Sequence, residues 1–240
     1  MTSYKKKNDL KTALGQDISN NFLFDYLNKK GYHNYTAFPK NKNVFTSLDT
    51  IKDKYYVSEI ITTENLRKPY LDLEHDYKDK NTMEKDYNKI VNGLVDDIIT
   101  VFKTKYSIVL TPNDIKLTDN SRKVDNNYKM SLHVVVSPDK CTYYYKSSKN
   151  GDESSAYHLY ESLVALNKMY KDDKFLDENV YKTEFNLRII GSSKNIDGKD
   201  PLKPINSTTF KQIELNDSEK LHYLLTYVKK NRIQLCTPMN

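Results

Sequence analysis

The chain has 240 residues, 38% of them hydrophobic and 29% charged, with a formal net charge of +6. That length suits one large domain with its own core, whereas no apolar run nears the roughly 18 residues that span a bilayer, and the opening MTSYKKKNDLK has no secretion-signal apolar stretch. Cys141 and Cys236 stand far apart without Cys or His at zinc spacing, so they read as free thiols in a reducing, intracellular compartment, and no zinc is expected.

The basic balance is a weak pointer to a polyanionic partner. Twenty Tyr beside no Trp and 6 Gly fit an AT-rich coding bias better than any activity. In chain order, residues 1–16 are lysine-rich, and a helix is expected from Ile18 to about Asn28, stopped by Lys29, Lys30 and Gly31. After a polar, irregular stretch, YYVSEII (55–61) and then 69–75 read as strands.

Helical spacing follows through Met83, Tyr87, Ile90, Leu94, Ile98 and Val101. Strands are expected near 114–118 and over KMSLHVVV (129–136), then a helix over 154–170, a strand near 186–190 and a last helix over 217–230. Strands interleaved with helices predict an α+β domain, divided into an N-terminal helical appendage (1–50) and a main domain (51–235).

Three segments put polar groups where a strand could carry apolar ones. In KPYLDLEHDYKDK, Asp72 and Glu74 share one face about 6.6 Å apart by strand rise, while Leu71 and Leu73 take the other. Two like charges on one face suit a cation better than a core. Ser131 and His133 form a similar pair on 129–136, and Arg188 lies within NLRIIGSSK. Lys129, Arg188 and Lys194 could meet phosphates, with Ser131, Ser192 and Ser193 adding hydroxyls.

Taken in order, YLDLEHD, KMSLHVVV and DENVYKTEFNLRIIGSSK resemble the three motifs of the archaeo-eukaryotic primase superfamily. The likeness is greatest to its primase-polymerase branch and to the N-terminal primase domains of primase-helicases from poxviruses and other large DNA viruses. It covers about residues 55–230, including the late LLTYVKKN. The resemblance implies an RRM-like, mixed-sheet catalytic core with flanking helices.

By the same resemblance, Asp72, Glu74 and Asp177 are the catalytic, metal-holding acids, with two Mg²⁺ or Mn²⁺ ions expected. Lys129, Ser131, His133, Arg188 and Lys194 would hold the nucleotide. Glu178 and Glu184 are set aside as decoys, Glu184 as a solvated loop acid. His75 is also set aside, although placed on the acid pair's side, and Asp76 as the start of an exit loop.

The activity implied is template-directed nucleotidyl transfer on single-stranded DNA with NTP or dNTP, in viral replication, with a helicase domain or partner and no membrane. Two departures bear on it. Ligands for a zinc module are missing, which bears on unaided primer initiation, and there is no G-x-x-x-x-G-K-[ST] for a helicase motor. The rival readings are a metal-dependent nuclease, which can use two acids and a lysine, and a nucleic-acid-binding module whose acids are merely a solvated face.

Overall fold

A computed structural model describes residues 2–41, 43–51, 54, 56–139, 141–149, 151–152, 154–194, 198–228 and 233–236. Tyr55, where the first expected strand was to begin, lies outside them, as do Lys229 and Lys230 at the end of the last expected helix.

The N-terminal third carries α1 (Lys7–Leu14), a 3-10 turn (Gly15–Asn20), β1 (Asn21–Leu27), β2 (His33–Pro39), α2 (Val44–Asp49), β3 (Val57–Ile61) and β4 (Tyr70–Tyr77). The middle carries α3 (Lys80–Tyr106), β5 (Ile115–Asp119), β6 (Arg122–Val124), β7 (Asn127–Val136) and β8 (Thr142–Tyr144). Then come α4 (Tyr157–Leu166), α5 (Met169–Asp172), β9 (Phe185–Arg188), β10 (Lys203–Ile205), α6 (Asp217–Lys220) and β11 (Ile233–Leu235).

The expected α+β class is observed. One sheet has the order β2-β1-β3-β9 and the other β10-β5-β7-β4, with β6 paired to β7. Both are antiparallel rather than mixed; among the described residues, β8 and β11 pair in parallel, and an isolated parallel bridge joins Ser147 and Ser155.

The helix expected over 18–28 is instead the strand β1. Phe22, Leu23, Phe24 and Tyr26 are all buried, so both faces of β1 are covered. Such a run has no period to separate strand from helix, and its aromatic residues suit a pleated surface. Gly31 turns the following hairpin at φ 74°, its N–H bonding the Asn28 carbonyl. Because β1 pairs with β3, the division expected at residue 50 falls between strands of one sheet.

α3 follows its predicted stripe. Asp79 caps it by accepting from the Thr82 N–H at 2.8 Å, and Met83, Ile90, Leu94, Ile98 and Val101 are buried. They pack with Leu71, Leu73, Leu132 and Val134 from β4 and β7 in one core. That core anchors one face of the second sheet and leaves the other for polar side chains.

The helix expected over 154–170 breaks at Asn167, whose side-chain oxygen accepts from the Met169 N–H. The last helix stops sooner. Asn216 starts α6 with a capping box, but the N–H groups of Leu225 and Thr226 bond the Glu59 carboxylate instead of helical carbonyls. No described helix is long and apolar enough to cross a membrane.

Candidate active site

Strand register joins the first two motifs. β4 and β7 run antiparallel with Asp72 opposite His133, Glu74 opposite Ser131 and Asp76 opposite Lys129. Directly opposed residues leave the same face of a sheet, so these six side chains share the face turned away from α3. Leu71 and Leu73, one residue out of step, enter the core at 1% and 0% exposure.

The third motif adds to the free edge of β4. Leu73 bridges Leu176, the Asp177 N–H donates to the Asp72 carbonyl at 2.9 Å, and the Glu74 N–H donates to the Phe175 carbonyl at 2.8 Å. Asp177 therefore stands beside Asp72. Its own carboxylate accepts from the Asn179 N–H and side-chain amide at 2.9 and 2.8 Å.

Asp72 is the electrostatic centre. Its side chain is 13% exposed, and its Oδ1 is buried with no hydrogen-bond partner. Burial first, then the charges of Glu74 and Asp177, push its pKa up from 3.8 to about 7, against the pull of Arg188 and Lys129. The Ser131 hydroxyl beside it is also buried without a partner.

His133 is buried as well, and desolvation followed by the Arg188 charge pushes its pKa down to about 3. Its Nε2 lies 4.0 Å from Asp72 Oδ1, but a ring held neutral cannot form a salt bridge there. A neutral His133 has one hydrogen bond to donate, and the Arg188 backbone is its partner in the folded chain.

Arg188 arrives from the other sheet, on β9. One of its guanidinium N–H groups donates to the Asn120 side-chain oxygen at 3.1 Å, which also accepts from Arg122 at 2.6 Å. Burial and Arg122 push the Arg188 pKa down, while Asp72, Tyr56 and Glu74 pull it up. Lys129 donates to Glu74 Oε2 at 2.5 Å. Lys194 is exposed and is not among the charges that act on Asp72.

The face opens into a cleft of about 760 Å³ whose lining includes Glu74, Lys129, Asp177, Tyr160, Lys171 and Lys174. Asp72 is not among the lining residues; it stands on β4 between Glu74 of the cleft wall and Tyr70, which packs on Phe185 and Tyr181 with ring centroids 5.2 and 5.4 Å apart.

Several sequence assignments change. His75 opposes Met130, so it has left the acid face; its ring stacks on Phe175 at 4.2 Å. Asp76 is still within β4 and shares the acid face. Ser192 accepts the Val57 N–H at 2.7 Å and the Ser193 hydroxyl donates to the Lys199 carbonyl, so both have structural partners. Glu184 is no free loop acid, since it pairs with Lys7 and Lys11 of α1. Sequence reasoning missed Asn120 and Arg122. The signal available was the turn residues of VDNN, which set the β6–β7 register and place Arg122 opposite Lys129.

Among the described residues, no three His, Cys, Asp or Glu side chains are gathered as a ready metal cage. The donor chemistry nevertheless suits a hard divalent cation. Carboxylate and hydroxyl oxygens are the ligands that Mg²⁺ and Mn²⁺ take, and the unpartnered Asp72 Oδ1 beside two further acids is what a cation would satisfy. Glu74 already gives one of its two oxygens, Oε2, to Lys129.

The chain is 38% identical, over 98% of its length, to a protein of Acanthamoeba polyphaga mimivirus named as an uncharacterized putative helicase. It spans 24% of that protein, about a quarter of its length. No family model matches the chain.

Proposed function

We propose that the chain is a nucleotidyltransferase of the primase-polymerase kind, extending or synthesising primers on single-stranded DNA in viral replication. The observation that carries this reading is the register: Asp72 against His133 and Glu74 against Ser131, with Asp177 added at the same edge. The helicase name of the similar mimivirus protein supports a replication setting and a helicase domain or partner. The RRM-like core implied by the resemblance belongs to the same proposal.

Asp72, Glu74 and Asp177 would hold Mg²⁺ or Mn²⁺, two ions being the expected number. A bound divalent cation would lower the pKa of the attacking 3′-hydroxyl and stabilise the leaving pyrophosphate. The chain's own residues bind and orient. Arg188 and Lys129 bring positive charge to the triphosphate, the Ser131 hydroxyl gives a hydrogen bond that does not depend on a titrating group, and His133 would join by turning its one N–H from the Arg188 backbone to the nucleotide. Lys194 would reach the triphosphate only from the exposed turn after Gly191.

The test is incubation with labelled single-stranded DNA, with and without an annealed primer, in NTP or dNTP plus Mn²⁺ or Mg²⁺, for wild type and Asp72→Ala. Elongation by wild type alone is expected. A shortened strand would favour the nuclease. Binding with no product under any condition would leave a nucleic-acid-binding module.

A further inference from the structure

The acid face continues onto the first sheet. Tyr35, Asp25, Ser58 and Arg188 stand directly opposite one another across β2, β1, β3 and β9, so their side chains leave one face. Tyr56, Asn186 and His33, each two residues from a member of that row, join it. The far end of the face is covered by the apolar cluster of Leu10, Ile18, Leu23 and Ile60, which includes α1. The near end reaches Asn120 through Arg188.

His33 is built into this row. Its Nδ1 lies 2.7 and 2.9 Å from the two oxygens of Asp25, and Asn186 donates to the same carboxylate at 2.9 Å. Asp25 is buried while the His33 side chain is 53% exposed. An ionised carboxylate only accepts, so Nδ1 carries a proton, and in the doubly protonated ring Nε2–H is left to donate to an outside anion. The ring stands between Tyr35, stacked at 6.5 Å, and Tyr56, edge-on at 6.3 Å.

We infer that this row is a lane for single-stranded nucleic acid, with His33 contacting a phosphate and Tyr35 and Tyr56 supplying ring faces for bases. The inference rests on the proposed polymerase reading and adds the strand's path toward the acids. The row spans three strand spacings, about 14 Å, from β2 to β9, a length that successive nucleotides of one strand can follow. A duplex hides its base faces from the tyrosines, whereas aromatic rings between Arg188 and a protonated His33 suit single strands of any sequence.

The test is fluorescence anisotropy of a labelled oligothymidylate of about 16 nucleotides, titrated with the full chain without nucleotide or divalent cation, across a salt series. His33→Ala and the double variant Tyr35→Leu/Tyr56→Leu should each weaken binding roughly tenfold, and His33→Ala should lower the salt slope by about 1. Tyr56→Phe and His33→Lys should bind like wild type, with thermal unfolding confirming that each variant folds.

Binding within twofold of wild type by both weakened variants would overturn the lane, as would equal affinity for duplex, or no single-strand binding by wild type. Unaltered binding by those variants in a chain that extends primers would remove the lane and leave the polymerase reading. Weakened binding by them in a chain that makes no product would do the reverse.

Discussion

Glu59 on β3 and Asp72 on β4 are both carboxylates taken out of water on strands of the two main sheets, and they differ in what meets them. Glu59 accepts from the Leu225 N–H at 2.7 Å, the Thr226 N–H at 2.9 Å and the Thr226 hydroxyl. Asp72 has a buried oxygen with no donor at all and two acids acting on it. A buried charge is tolerable where hydrogen bonds replace water, as at Glu59. Where they are withheld, the site stays poised for something outside the chain. The first carboxylate secures the closing segment of the fold, and the second is the group that the proposed cation would satisfy.

The largest effect that can break this comparison is an exchange of roles under substitution. Glu59→Ala strands three buried donors at about 1–3 kcal/mol each, so a loss of roughly 3–5 kcal/mol is expected in urea unfolding. Asp72→Asn should cost no stability at neutral pH, yet lower primer extension by about 10³-fold or more, equivalent to roughly 4 kcal/mol in the barrier. If Asp72→Asn unfolds as readily as Glu59→Ala, Asp72 is a structural acid and the distinction fails.

The two carboxylates also differ in how visible they are from sequence. Asp72 and Glu74 alternate with Leu71 and Leu73, and the opposite strand alternates likewise, so the shared face can be read from period two alone. Glu59 lies within a strand buried at every position, and the donors it serves are over 160 residues away in sequence. Its role needs the fold. The same holds for β1, whose run Phe22-Leu23-Phe24 has no period to separate strand from helix, and for the helix expected after Leu224, which Glu59 pre-empts by taking backbone donors. Asn120 and Arg122 enter the site through hairpin register, which neither residue's type announces.

A smaller effect separates Asp72 from its neighbour His133. The folded chain holds the Asp72 proton up to about pH 7 while an unfolded chain releases it near 3.8, so this group removes stability as pH rises through that window. His133 acts oppositely: an unfolded chain protonates it near 6.5 and the fold resists down to about 3, so stability falls as pH drops. Between about pH 4 and 6.5 the two slopes offset each other. Asp72→Asn should expose the His133 slope, and its stability margin over wild type should grow with pH to at most about 4 kcal/mol near pH 7. Unfolding free energies measured from pH 4 to 8 check this, and parallel curves for variant and wild type would mean that Asp72 ionises normally.

The smallest effect concerns the acid that already has a partner. Glu74 gives one oxygen to Lys129, on side chains 34% and 20% exposed, where an ion pair contributes about 1 kcal/mol or less. A divalent cation that takes the same Glu74 oxygen must displace that ammonium. Lys129→Gln should therefore tighten Mn²⁺ binding by a few-fold in calorimetry without nucleotide, while weakening binding of the nucleotide triphosphate. Unaltered or weaker Mn²⁺ binding would mean that the lysine and the cation use different oxygens. A tighter cation site with a weaker nucleotide would make Lys129 a resident counter-charge that transfers from Glu74 to the triphosphate, so that Asp72 stays unsatisfied in the free chain while Glu74 does not.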